Sequence, residues 1–207
     1  QMMDVRGPVI APRTQDRSDT SPLIILSAPR AGSTLLRTAL AGHPGFFSPP
    51  ELRLLTHERM DDWARVHSGK FRFFQDGLVQ AIMSATGEDE GSARAWIDRA
   101  IAARLSVERV YDHLQHAVGD RRIVEKSPHT ALSPSALGAL ETRFRKPLYV
   151  VLRRNPVEAI RSHVAAGLDQ VWMQGRVDHP RALAEAVWTE SYRNISAFVQ
   201  NIDPRRV

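Results

Sequence analysis

The chain of 207 residues is 43% hydrophobic and 25% charged, the balance of a soluble globular protein with room for one sizeable core. It has no cysteine, which excludes disulfides, thiolate metal sites and a cysteine nucleophile together. Its net charge of +5 favours anionic partners, and lysine occurs only at Lys70, Lys126 and Lys146. Nearly all the positive charge is therefore arginine, whose planar fork suits phosphate and sulfate oxygens, although a GC-rich genome accounts equally for most of these residues. No run approaches the roughly 18 apolar residues of a membrane span, and no apolar leader opens the chain. A cytoplasmic setting is expected.

Residues 1–21 are polar, carry Pro8 and Pro12 and show no sustained period; they read as a linker or tail before a single domain over residues 22–207. The opening Gln1 suggests a piece of a longer protein or a processed terminus. Order begins at Leu23-Ile24-Ile25-Leu26, a short apolar run typical of a strand buried on both faces, and a helix follows over Ser33–Ala41. Two more such runs occur, Ile123-Val124 and Leu148-Tyr149-Val150-Val151-Leu152. Each precedes a helix start, Ser133-Pro134 and Asn155-Pro156, where a capping side chain meets a proline in the first turn; Glu158 adds a box-like pattern. Strand, loop and helix thus recur three times. That pattern predicts an α/β fold with a P-loop-like parallel sheet flanked by helices and a ligand crevice at the carboxyl ends of the strands.

Between the first two runs only helices are expected. Ala93, Trp96, Ile97, Ala100 and Ile101 fall on one helical face, as do Val107, Val110, Tyr111, Leu114 and Val118. These are core stripes. The insertion from Phe71 to Leu114 reads as a lid on the acceptor side, with apolar members that suit an acyl chain. A last helix spans Arg181 to Ile202. His113 and His116 have a spacing metals can use, but no acidic or thiolate partner is near in sequence, and no metal site is expected.

Ala28-Pro29-Arg30-Ala31-Gly32-Ser33-Thr34 joins the first strand to its helix. A strand running straight into a helix through such a loop directs backbone N–H groups and the positive end of the helix dipole at an anion. Arg30 adds a charge, Ser33 and Thr34 add hydroxyl donors, and Gly32 permits close approach. The GxxxxGK[ST] spacing of nucleotide triphosphatases and its lysine are missing, which argues against a small-molecule kinase. A nucleic-acid binder would cluster arginines with aromatics, whereas the arginines here are scattered and aromatics make up 7%.

Pro22 to Leu36 resembles the 5'-phosphosulfate loop of sulfotransferases that use 3'-phosphoadenosine 5'-phosphosulfate (PAPS), whose pattern is [KR]-S-G-[ST]-T-[LW] after a strand. Arg30, Gly32, Ser33, Thr34 and Leu35 match, and Ala31 stands in place of the usual serine. A second family signature, an arginine at the end of a later strand and a serine eight residues on, is met by Arg154 and Ser162. The resemblance implies that these two bind the 3'-phosphate of the donor.

Gly42 to Leu55, Val107 to Gln115 and Ile123 to Pro128 resemble the sulfotransferase domains embedded in polyketide synthases of the curacin and olefin synthase type. That resemblance implies transfer to the β-hydroxyl of an acyl chain on an acyl carrier protein, PAP as product, and a possible neighbouring thioesterase. Free alcohols, sugars or tyrosine remain the alternative acceptors. It further implies Glu51 as general base, with His129 and His57 as rivals, and Lys126 and Arg30 at the transferring group. No metal, nucleic acid or membrane enters this reading. The family continues beyond the last helix into a further strand, so part of the donor site is expected to lie outside this chain.

Overall fold

The computed structural model describes residues 18–168 and 178–207. Four parallel strands, β1 (Leu23–Leu26), β2 (Phe46–Phe47), β3 (Arg122–Glu125) and β4 (Leu148–Val151), lie in the order β2-β3-β1-β4. β1 is central: Leu23 pairs with Val124 on one side and Leu148 on the other. The chain leaves β1 toward β2 and β3, then crosses to β4. Such a reversal of direction opens a crevice at the carboxyl ends of the strands.

β1 is buried along its whole length, which requires cover on both faces. Leu23, Ile25 and Val124 face α1 (Ser33–Ala41) through Leu36 and Leu40. Ile24, Leu26, Ile123 and Tyr149 face the larger core. That core also takes in the helices between β2 and β3: α2 (Met60–Val66), a 3-10 turn (Gly69–Gln75), α3 (Asp76–Thr86), α4 (Glu90–Ala102) and α5 (Val107–Val118). Trp63, Tyr111 and Phe144 are its largest fully buried side chains. At about 1.5–3 kcal/mol for each large apolar side chain removed from water, these helices are held by the sheet's own core.

The remaining elements are a 3-10 turn (Pro128–Leu132), α6 (Pro134–Arg143), α7 (Pro156–Ala165), α8 (Pro180–Val199) and a 3-10 turn (Pro204–Arg206). Both proline-marked starts form as their sequence requires. Ser133 accepts from the Ala136 amide, and Asn155 accepts from those of Val157 and Glu158, contacts worth about 1 kcal/mol each. Glu158 completes no capping box; its carboxylate lies 3.5 Å from Arg154.

One expectation needs correction. A strand does lie between the first two apolar runs: Phe46 and Phe47 pair with Arg122 and Ile123, in a segment too short to carry a period of its own. Residues just before Pro22 pack against the domain. Ser18 and Thr20 are buried, and the Ser18 amide donates to the Arg143 carbonyl at 2.8 Å. Residues 1–17 lie outside the described residues. No helix among the described residues is long and apolar enough to cross a membrane.

Candidate active site

Arg30, with φ 66°, and Gly32, with φ 92°, both adopt left-handed backbone in the turn from β1 to α1. For Arg30 this costs about 1 kcal/mol or more, and the turn aims the start of α1 into the crevice. No side chain caps α1. Its first amides have no intrahelical acceptor, so they are open to an anion. Ser33 is buried at the base of the loop and Thr34 is exposed at its mouth.

Three sequence-selected residues converge beside this loop. Arg30 Nε donates to Ser162 Oγ at 3.0 Å, and Arg154 Nη1 donates to the Arg30 carbonyl at 3.1 Å. The end of β4 and the face of α7 are thereby joined to the end of β1. Arg153 turns the other way, its guanidinium 5.8 Å from the Tyr192 ring centre.

A second group of charges faces the opposite end of the loop. Lys126, just beyond β3 and only 4% exposed, donates to Thr34 Oγ1 at 3.3 Å and forms an ion pair with Glu51 Oε1. Arg53 takes the other oxygen of Glu51 at 3.1 Å and lies 3.9 Å over the Phe74 ring. Its own φ is 55°. Burial pulls the Arg53 pKa below its ordinary value while Glu51 pulls it back. A carboxylate has about four lone-pair sites, so the two cations fix Glu51 and still leave room for a third partner.

The backbone of Glu51 is set by a glycine. A Cβ on Gly77, in the first turn of α3, would come within 2.1 Å of the Glu51 carbonyl oxygen. The Trp63 indole donates to the Leu52 carbonyl at 3.3 Å and Arg143 to that of Leu55 at 2.9 Å, which secures the following residues. Gly77→Ala is expected to push Glu51 out of register and lower turnover on the order of tenfold, with the far-UV circular dichroism and PAP affinity of the wild type. Unchanged turnover would show that the loop yields without cost.

Behind these charges lie three histidines. His129 lines the cleft, and its Nδ1 is buried without a partner; burial, then the charges of Arg53 and its histidine neighbours, holds its pKa well below the usual range. His57 donates or accepts at Asp62, 3.2 Å away, and His67 is pushed down to about 4, chiefly by burial. All three are held neutral near pH 7. Under Lys126, the buried Glu125 carboxyl accepts from the Tyr111 hydroxyl at 2.9 Å and from Ser127, and burial lifts its pKa to about 7.

Arg30, Gly32, Ser33, Thr34, Glu51, Lys126, His129 and Arg154 all border one cleft of about 300 Å³. Ala31 is buried, Leu35 is 77% exposed and lies outside that lining, and His57 sits behind the wall. His113 stacks on Trp96 at 4.1 Å, a core contact. Among the described residues no group of three or more histidine, aspartate or glutamate side chains could hold a metal ion. Sequence reasoning missed Arg53, Phe74, His67 and Gly77. Only the position of Arg53, two residues beyond Glu51, offered a signal, since alternate residues of an extended segment face one side.

The sulfotransferase family profile matches residues 22–207. Among curated proteins, the nodulation protein NoeE of Sinorhizobium fredii is 28% identical over 158 residues, which are 74% of this chain and 33% of that protein. A sulfotransferase domain from the curacin biosynthetic pathway superposes with a TM-score of 0.84 at 35% identity, covering 91% of this chain and 66% of the other. The sulfotransferase domain of the Synechococcus PCC 7002 olefin synthase gives 0.85 at 31% identity, covering 97% and 68%. The Mycobacterium avium sulfotransferase STF9, at 18% identity and a TM-score of 0.52, shares the fold. The chain thus spans a third of its curated relative and about two thirds of the two solved domains. With the profile matched from the start of β1 to the last residue and the phosphate loop, Glu51 and Lys126 gathered at one strand-end cleft, the chain belongs to the sulfotransferase family.

Proposed function

We propose that this cleft moves the sulfuryl group of PAPS to an alcohol, the β-hydroxyl of an acyl chain carried on an acyl carrier protein. The observation that carries this reading is the placement of Lys126 between Thr34 of the anion loop and Glu51. One cation thereby links the donor side of the cleft to a carboxylate able to take a proton. The solved sulfotransferase domains from the curacin pathway and the olefin synthase support the acceptor class.

Donor binding falls to the loop and to the arginines. The open amides of α1, with Ser33 and Thr34, suit the 5'-phosphosulfate; Arg154 and Ser162 suit the 3'-phosphate through charge-assisted hydrogen bonds. Arg30 lies between these two groups and can turn from Ser162 to either phosphate. Ala31 supplies only backbone. Leu35, exposed on the first turn of α1, offers an apolar surface to the rest of the nucleotide.

For transfer, Glu51 removes the acceptor hydroxyl proton as that oxygen bonds to sulfur. The bond from sulfur to the bridging oxygen breaks, its electron pair stays on the 5'-phosphate of PAP, and Lys126 holds the charge that develops there. Protonation of Glu51 weakens its pull on Lys126 at the moment the bridging oxygen needs a cation. His129 is the poorer base, because burial and Arg53 oppose a proton on its ring. Arg53 holds Glu51 from the side away from Lys126.

The test offers PAPS with carrier-bound 3-hydroxyacyl chains beside free alcohols, sugars and tyrosine, and reads products by mass spectrometry. Sulfonation of the carrier-bound 3-hydroxyacyl chain in preference to the others is expected. Sulfonation confined to free small alcohols would retain the enzyme class and reject the carrier-bound acceptor.

A further inference from the structure

The 3-10 turn Gly69–Gln75 carries apolar surface that the core does not use. Phe73 is 56% exposed. Its ring centre lies 4.1 Å from that of Phe74, and the Phe71 ring stacks with Phe74 at 6.0 Å. Phe74 in turn underlies Arg53, which holds Glu51. The aromatic rings therefore lead from solvent at Phe73 to Phe74, and the Arg53 guanidinium links Phe74 to the carboxylate assigned as base. Exposed aromatic rings that lead into a site favour an apolar occupant, because leaving them in water forgoes the gain from burial.

Two cations stand beside this surface. Arg65, Arg94 and Arg104 each pair with an aspartate or glutamate. Lys70 and Arg72, both exposed on the aromatic turn, form no ion pair among the described residues. Lys70 instead lies 5.1 Å from the Phe71 ring centre. Two unpaired cations at the rim of an apolar track fit a partner that is acidic outside and presents a flexible arm, since rim charges steer and orient association.

We propose that the face of Gly69–Gln75 bearing Lys70, Arg72 and Phe73 is where an acidic carrier protein docks, its acyl arm passing over Phe73 and Phe74 to Glu51. This rests on the reading of the acceptor given above. It adds the surface that recognises the carrier, separate from the cleft that binds PAPS.

The test measures binding of a phosphopantetheinylated, 3-hydroxyacyl-loaded carrier protein to the full chain by fluorescence anisotropy, with turnover of the same acyl chain on free pantetheine as a second readout. The double variant Lys70→Glu, Arg72→Glu is expected to weaken carrier binding about tenfold or more and to flatten its salt dependence. Its KM for the free pantetheine thioester stays unchanged. Phe73→Ser is expected to raise KM for both acceptors. Carrier binding that survives the double charge reversal, or an equal loss with the free thioester, overturns the docking surface. A wild-type chain that binds the carrier in a Lys70- and Arg72-dependent way yet transfers no sulfuryl group upholds docking and contradicts the reading of the reaction.

Discussion

Replacing Glu51 by Gln is expected to lower kcat for sulfuryl transfer by about 10²–10⁴-fold, the range for losing a positioned general base, while PAP affinity stays within about twofold. The substitution keeps the shape of the side chain and one acceptor oxygen, so one of the two cations, Lys126 or Arg53, retains its hydrogen bond while the other meets the amide NH2. What it removes is the basic oxygen that takes the proton. Because neutral Gln also releases charge from Lys126, donor binding is expected to hold or to tighten slightly. A variant that loses PAP binding in step with turnover would mark Glu51 as a structural partner of Lys126. One with wild-type turnover would pass the role to His129.

Arg154→Ala is expected to weaken PAP binding by about 10- to 100-fold, since hydrogen bonds to a charged group are worth about 1.5–3 kcal/mol. The effect falls much less on adenosine 5'-phosphosulfate, which lacks the 3'-phosphate. That contrast separates direct contact from general loss of positive charge, which would weaken both nucleotides alike. Arg154 also holds the Arg30 carbonyl at 3.1 Å, so the variant could loosen the phosphate loop. A substantial loss with both nucleotides would assign the effect to the loop; Arg154→Lys, which restores charge without the fork, then recovers binding only where charge alone matters.

The parts of the fold that declared themselves in sequence were those governed by local rules. β1 and β4 stand out because strands buried on both faces need unbroken apolar runs. α6 and α7 stand out because Ser133 and Asn155 cap through contacts two or three residues away. Arg154 and Ser162 were picked out by resemblance to a family signature, and the structure brings both against Arg30, a meeting that the resemblance did not specify.

What stayed hidden depends on contacts between distant segments. β2 is two residues long and exists because β3 lies beside it. Arg53 matters through left-handed backbone, a stack on Phe74 and a contact to Glu51. Gly77 looks like any helical glycine until the Glu51 carbonyl is set against it. The helices read as a lid share the sheet's core; the acceptor surface assigned here is confined to the short turn that begins them.

In the proposed reaction one cleft couples cleavage of PAPS to sulfonation of a carrier-bound hydroxyl. Its most direct test follows both products together, PAP by chromatography and the loaded carrier by intact-protein mass spectrometry. The expected result is one PAP released for each carrier that gains the mass of one SO₃ group, with none gained by a carrier whose acyl chain lacks the 3-hydroxyl. PAP release without any mass gain on the hydroxylated carrier, or PAPS left intact in its presence, would rule this coupling out.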